Sequence, residues 1–278
     1  MQHKNIILRS LKESFLLIWK NKKLFALLFV LQIILIFMLS FFNVTYGTKI
    51  IESEKAIMDY LQSLQMDELS IASDIAQQKS ILGDDPLSIS RHFNEMIKNF
   101  RLYLIYAFVS MVIFTSIIWA ITHKLVHKAN RTQLKIILFR TFIVALGYLG
   151  LIFLFFFSVF SISLTESLSV AAFFFTKYMP FLLISMALFY FMFVSLSLVH
   201  NTELKEIIQR TLFVGVRKAH YISAVYIIDF ILFIAPSILL FYFIENTFML
   251  LLSIIIFTSS FVFGRILLVN VVEKLVKD

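Results

Sequence analysis

Six apolar stretches, each about as long as a bilayer is thick, dominate the chain and leave few folds open to it. A helix rises about 1.5 Å per residue and a hydrocarbon core is roughly 30 Å across, so about 20 apolar residues make one crossing. Residues 24–46, 102–122, 141–164, 178–200, 221–244 and 247–269 each meet that length. Inside lipid every backbone N–H and C=O must be satisfied within its own segment, so the stretches read as helices packed side by side. The expected fold class is an all-α membrane protein with six transmembrane helices. Composition agrees: 60% of the 278 residues are hydrophobic and 33 are Phe, which leaves too little polar surface to dress a water-soluble globule.

Charge then assigns the sides. Most of the 25 basic residues fall in four segments. Residues 1–23 carry Lys4, Arg9, Lys12, Lys20, Lys22 and Lys23 against Glu13, and residues 123–140 carry Lys124, Lys128, Arg131, Lys135 and Arg140 without an acid. Residues 201–220 and the end from Arg265 onward are also net basic. The alternate connectors differ: residues 47–101 hold nine acids against six bases. The positive-inside rule places both termini in the cytoplasm. A net charge of +8 spread this way is not the single basic patch that nucleic acid requires, so nucleic acid is not an expected partner. With no cysteine, disulfides and thiolate chemistry are excluded.

The predicted layout follows. Residues 1–23 form an interfacial amphipathic helix with Ile7, Leu11, Ser14, Phe15 and Ile18 near one face, running into span one as an uncleaved signal anchor. Trp19 with Lys20, Lys22 and Lys23 forms an anchor for the headgroup region, where anionic lipid is the expected partner. Residues 47–101 form a small external helical segment, with Gly83 closing one helix and Asp84-Asp85-Pro86 opening the next. Its apolar stripes are expected to rest on the outer bundle rim, on one another or on a protein partner, for which the inner loops are the other candidate surface. Residues 123–140 read as a basic cytoplasmic loop, 165–177 as an outer interfacial turn and 270–278 as a cytoplasmic tail. Residues 201–220 repeat the amphipathic helix, with Arg217 and Lys218 as anchors. A similar stretch at residues 133–140 makes the plan an architectural threefold recurrence.

Among polar residues inside the spans, Asp229 stands out, eight positions into span five and roughly 12 Å deep. Ionisable residues at such depth face the bundle interior or a wet cavity. Hairpin arithmetic offers a partner: spans five and six turn near Glu245, so Arg265 comes within about 6 Å of the height of Asp229. The expectation is an ion pair clasping the last hairpin, with Gln32 of span one as the alternative partner or as an interhelical hydrogen-bonding residue. Pro236, two turns beyond Asp229, frees a backbone carbonyl. Any binding site is expected there.

His123 and His127 share a helix face, with no third histidine or acid nearby in the sequence, and read as interfacial polar residues rather than metal ligands. His200 reads as an anchor of span four. Asn43-Val44-Thr45 matches a glycosylation acceptor but lies against span one. No P-loop, dinucleotide fingerprint, zinc-protease motif or catalytic triad occurs. No cofactor and no enzymatic activity are expected.

Amphipathic helices such as residues 11–25 (LKESFLLIWKNKKLF) and 204–218 (LKEIIQRTLFVGVRK), each entering a Phe/Ile/Leu-rich hairpin, resemble six-span prokaryotic proteins grouped with the membrane domain of glycerophosphodiester phosphodiesterases. That resemblance implies a multi-pass protein of a prokaryotic cytoplasmic membrane and carries over no catalytic residues. The basic start and the external insertion after span one are similar to permease subunits of ABC-2 type exporters, which would imply an ATPase partner. A non-catalytic membrane scaffold or lipid-organising protein is the leading expectation; a transporter component with Asp229 near the pathway is the alternative. A closed interior with Asp229 paired supports the first, and a cavity reaching Asp229 supports the second.

Overall fold

Every described element of the chain is a helix or a turn between helices. The structure, a computed structural model, describes residues 5–66, 87–163, 178–200, 202–243 and 245–277. The helices are α1 (Asn5–Lys20), α2 (Lys22–Phe42), α3 (Thr48–Met66), α4 (Ser88–His127), α5 (Arg131–Ser163), α6 (Met179–Leu198), α7 (Leu204–Leu212), α8 (Ala219–Tyr242) and α9 (Thr247–Lys277). A π-helical turn at Asn43–Gly47 joins α2 to α3, and another at Phe213–Arg217 follows α7. Six helical stretches are long and apolar enough to cross a membrane: Lys22–Tyr60, Ser88–His127, Arg131–Ser158, Met179–Leu198, Ala219–Tyr242 and Thr247–Lys277. They match the six stretches expected from the sequence in number and order, and they make this a multi-pass membrane protein.

The helices overrun the apolar stretches. α4 has 40 residues, about 60 Å of helix or roughly two bilayer cores. The segment 123–140, expected as a loop, is helical except for Lys128–Asn130. Two local devices make so short a link. Lys128 takes a left-handed φ of 53° and ends α4. Asn130 then opens α5 with a capping box: its Oδ1 accepts from the Gln133 N–H at 2.9 Å while its own N–H donates to Gln133 Oε1 at 3.1 Å. The stretch 133–140 is therefore part of α5 rather than a separate interfacial helix. Gly83, Asp84, Asp85, Pro86 and the outer turn 165–177 lie outside the described residues.

The chain divides into two units, residues 36–110 and residues 1–35 with 111–278. In the smaller unit α3 and the first half of α4 run antiparallel. Tyr106 stacks on Phe42 at 5.5 Å and on Tyr46 at 5.7 Å, and farther along a polar cleft is lined by Lys49, Glu52, Ser53, His92, Glu95, Lys98 and Asn99.

In the larger unit α9 is the spine. It packs against α1, α6 and α8, and Val262, Ile266, Leu267, Val269, Val271 and Val272 on it are fully buried. Leu28 of α2 and Ile118 and Leu125 of α4 close on Val262 and Ile266. The buried face of α1 is small and polar: Ser10 and Ser14 are fully buried, whereas Leu8, Phe15 and Trp19 are exposed. Of the residues expected near one face, Ser14 is buried and Phe15 is exposed, and Asn270 of α9 donates to Ser14 Oγ at 2.7 Å, drawing the serine in. Glu13 and Lys274 pair at 2.7 Å across the same contact. Arg140 donates to the carbonyls of Val199 and Thr202 at 3.3 and 3.0 Å, covering the end of α6.

Candidate functional site

Asp229 and Arg265 line one cavity of about 310 Å³ between α4, α6, α8 and α9, and Gln32 lies outside its lining. Its walls include Trp119, Phe193, Phe230, Phe233, Phe261 and Leu268, and its polar lining comes from Tyr226, Asp229, Ser260 and Arg265. Asp229 sits ten residues into α8, and Tyr226 precedes it by three, so both share one face. Across from them Gly264 supplies the space: a Cβ placed there would lie 2.6 Å from Asp229 Cγ. The carboxylate occupies the place that a Cβ would take, so any larger residue here must push it aside.

Asp229 and Arg265 line the same cavity, but the expected ion pair does not form. No nitrogen–oxygen contact within 4.0 Å joins them among the described residues, and Arg265 Nη2 donates to Gln32 Oε1 at 2.7 Å. The guanidinium also lies over the Trp119 ring, 6.0 Å from its centroid. Gln32, weighed as a partner for Asp229, is instead the residue that orients Arg265. Three buried polar atoms round the cavity have no hydrogen-bond partner: Asp229 Oδ1, Arg265 Nη1 and Tyr226 Oη. All three are closed off by packing rather than presented to the cavity, and Asp229 Oδ1 is the atom pressed on Gly264.

Pro236 is buried in α8 and does not line the cavity. The carbonyl that it frees belongs to Leu232, and Ser260 Oγ points to that oxygen at 3.4 Å while donating to Ile256 O at 2.9 Å. A neighbouring helix thus brings a hydroxyl to the freed carbonyl, its single proton shared between that oxygen and Ile256 O. Tyr190, on α6, has its ring 5.8 Å from that of Tyr226 and donates to Gly215 O at 2.6 Å, holding the π-helical turn.

A second cluster lies at one end of the same unit. His123 is fully buried and its Nε2–H donates to Leu196 O at 2.7 Å. The sequence reading found no third histidine or acid near His123 and His127, and the fold brings both. The His200 ring stacks on His127 with centroids 3.9 Å apart, and Glu273 Oε2 lies 3.5 Å from His127 Nδ1. Stacking turns ring faces rather than nitrogen lone pairs toward one another, and no group of three or more such residues among those described is disposed to hold a metal.

The expected anchors lie at the surface. Trp19, Lys20, Lys22, Lys23 and Arg217 are exposed and Lys218 is half-buried; Lys22 Nζ sits 4.2 Å from the Trp19 ring centroid and Arg217 lies 4.9 Å from that of Phe213. Tyr226, Trp119, Ser260 and Gly264 were not singled out from sequence. Tyr226 had a signal there, at three residues from Asp229, and Gly264 stood next to Arg265.

Comparison with known protein families, with curated proteins and with solved structures finds none that matches this chain.

Proposed function

We propose that this chain is a membrane transport protein, or the membrane-spanning part of one, with the Asp229 cavity as its binding site. Its termini and basic connectors face the cytoplasm, where Trp19, Lys20, Lys22, Lys23, Arg217 and Lys218 meet anionic headgroups. The observation that carries the reading is Asp229 itself: an acid within a span, lining a 310 Å³ cavity, with no ion-pair partner among the described residues. A rigid scaffold favours the opposite arrangement, a closed interior in which the acid is neutralised by its neighbours. A buried carboxylate is costly to keep in lipid, and an unpartnered one is more readily reconciled with solute or ion passage than with architecture. The proline of α8 and the glycine of α9 beside the acid fit a site at which helices approach closely and backbone polarity is exchanged.

The chain contains no cysteine, so a single introduced thiol is an unambiguous probe. Ser260→Cys places one on the cavity wall. In sealed vesicles, a water-soluble, membrane-impermeant thiol reagent is expected to modify it from either face, as alternating access requires. Modification from one face or from neither, in folded protein, refutes the transport reading.

A further inference from the structure

Resting on the placement of the α1 cations at the headgroup level, we infer that the chain holds one anionic phospholipid, an acyl chain in a groove between α1, α2, α8 and α9 and its phosphate among Lys12, Lys20 and Lys22. The groove has a volume of about 410 Å³ and shares only Ser260 with the lining of the Asp229 cavity. Leu11, Phe15 and Ile18 of α1 form one wall; Phe25 of α2, Ile228 of α8 and a strip of α9 from Ile255 to Phe263 belong to the others. That strip is about 12 Å of helix and lies within the apolar span Thr247–Lys277. The lining holds two serines and no charged side chain. A polar ligand would be desolvated there without partners, whereas a hydrocarbon chain loses nothing.

Charge decides which lipid. The acid of α1, Glu13, is already shared by two cations, Arg9 Nε at 2.9 Å and Lys274 Nζ at 2.7 Å. Lys12, Lys20 and Lys22 are exposed, and among the described residues none of them has an acid within ion-pair distance. Successive residues of a helix turn by about 100°, which sets Leu8, Lys12, Phe15 and Trp19 within one arc of about 60°, and all four are exposed. Lys22 Nζ, 4.2 Å from the Trp19 ring centroid, adds a second cation to that arc. A face that mixes ammonium groups with Leu, Phe and Trp suits a phospholipid, whose phosphate meets the cations while its glycerol and chains meet the rings. Phe15 belongs both to this face and to the groove wall, so one molecule reaches both. A second copy of the chain docked here would set the same unpaired cations against each other; an anionic lipid neutralises them.

Native mass spectrometry of the full chain, ejected from micelles holding equal amounts of dioleoyl phosphatidylglycerol and dioleoyl phosphatidylcholine, counts the lipid retained. The expected result is one phosphatidylglycerol per chain, favoured about tenfold or more over the zwitterionic lipid. Lys12→Gln, Lys20→Gln and Lys22→Gln together, all at exposed positions, should abolish that preference. Ser259→Phe fills the groove from a position that does not line the Asp229 cavity, and should lower retention of phosphatidylglycerol about tenfold or more. Ile255→Trp is the second groove variant, and the unfolding midpoint checks the fold of each. Equal retention of the two lipids by the unaltered chain, or a preference that survives the lysine changes, overturns the inference. Unchanged retention in folded groove variants overturns it as well, while a preference that still falls with the lysines leaves the headgroup placement of α1 standing. A dimer in place of the lipid complex, dispersed by Ser259→Phe, assigns the groove to a second copy and equally refutes it. The transport reading is tested separately by Ser260→Cys labelling and is untouched by these results.

Discussion

Gly264→Ala tests whether Asp229 is held by close helix approach rather than by a charge partner. A Cβ at position 264 would meet Asp229 Cγ and Oδ2 at 2.6 Å, whereas ordinary contact begins at 3.4 Å. Relief requires the carboxylate to swing into the cavity that it lines, which sets the low end of the cost, or α8 and α9 to part by roughly 1 Å, which packed helices resist. Overpacking of this kind costs about 1–3 kcal/mol, against which alanine returns about 1 kcal/mol of helix propensity. The expected outcome is a net loss of up to about 2 kcal/mol. Gly147→Ala is the control, because nothing lies within 4 Å of its Cβ position; it is expected to be neutral or mildly stabilising.

The decisive comparison is a cycle with Asp229→Ala. Once the carboxylate is gone the alanine at 264 has room, so its penalty vanishes and the two changes couple by about 1–3 kcal/mol. Reversible unfolding of the purified chain in mixed micelles, followed by circular dichroism, measures all four proteins. If Gly264→Ala is as harmless as Gly147→Ala, or if the two effects add within about 0.5 kcal/mol, the carboxylate does not rest on Gly264 and the geometry of the site is wrong.

Three further outcomes follow from the same packing. Ser14→Ala removes the acceptor for the buried Asn270 amide and should cost about 1–3 kcal/mol in the same unfolding assay, with much of that loss absent when Asn270→Leu is already in place. His123→Phe breaks the bond to Leu196 O and leaves a buried carbonyl open at the end of α6; a loss of about 1–3 kcal/mol is expected, and an unchanged midpoint would show that α4 and α6 are held by apolar packing alone. For Glu13, burial acts to raise the pKa, but hydrogen bonds and charge from Lys274 and Arg9 outweigh it and hold the carboxyl below its ordinary value of 4.5. A depressed folded value means that this stabilisation is complete above 4.5 and fades as pH falls through the lower folded value. Because the group is partly solvated the effect should stay under about 1 kcal/mol, and Glu13→Gln should flatten the acid limb of a stability–pH curve.

The six crossings were legible because lipid makes one demand of every residue in a span, and hydropathy over about 20 residues answers it. What was not legible depends on single contacts between distant segments. The link at Lys128–Asn130 lies within residues 123–140, which the sequence presents as one basic loop, because the run of basic residues hides a capping box whose partners, Asn130 and Gln133, are ordinary polar residues. The pattern of α1 groups Phe15 and Ser14 on one face, whereas the fold buries Ser14 and exposes Phe15: against lipid an exposed phenylalanine costs nothing, and a serine that packs closely and accepts from Asn270 is better buried. The histidines show the same limit. His123 and His127 announce each other by their four-residue spacing, but His200 and Glu273 come from other helices and carry no mutual signal.

The ion pair that failed to form is instructive about which coordinate a sequence supplies. Counting from the turn between α8 and α9 puts Arg265 near the height of Asp229, and the residue that in fact meets Asp229 is Gly264, one position away. The count from Glu245 leaves Arg265 about 6 Å from the height of Asp229, and the contact with Gly264 brings it to about 1.5 Å, so the count is off by three residues, about 4.5 Å. One residue along a helix, however, is also a rotation of about 100°, which carries the Arg265 side chain off the α8–α9 seam toward α2, where Gln32 receives it. Hairpin arithmetic knows the rise but not the azimuth, because azimuth is set by a third helix that the hairpin does not contain. The consequence is chemical as well as geometric: the same 100° that denies Asp229 its counter-charge leaves both groups lining one cavity. It turns a structural clasp into a site that can receive something else.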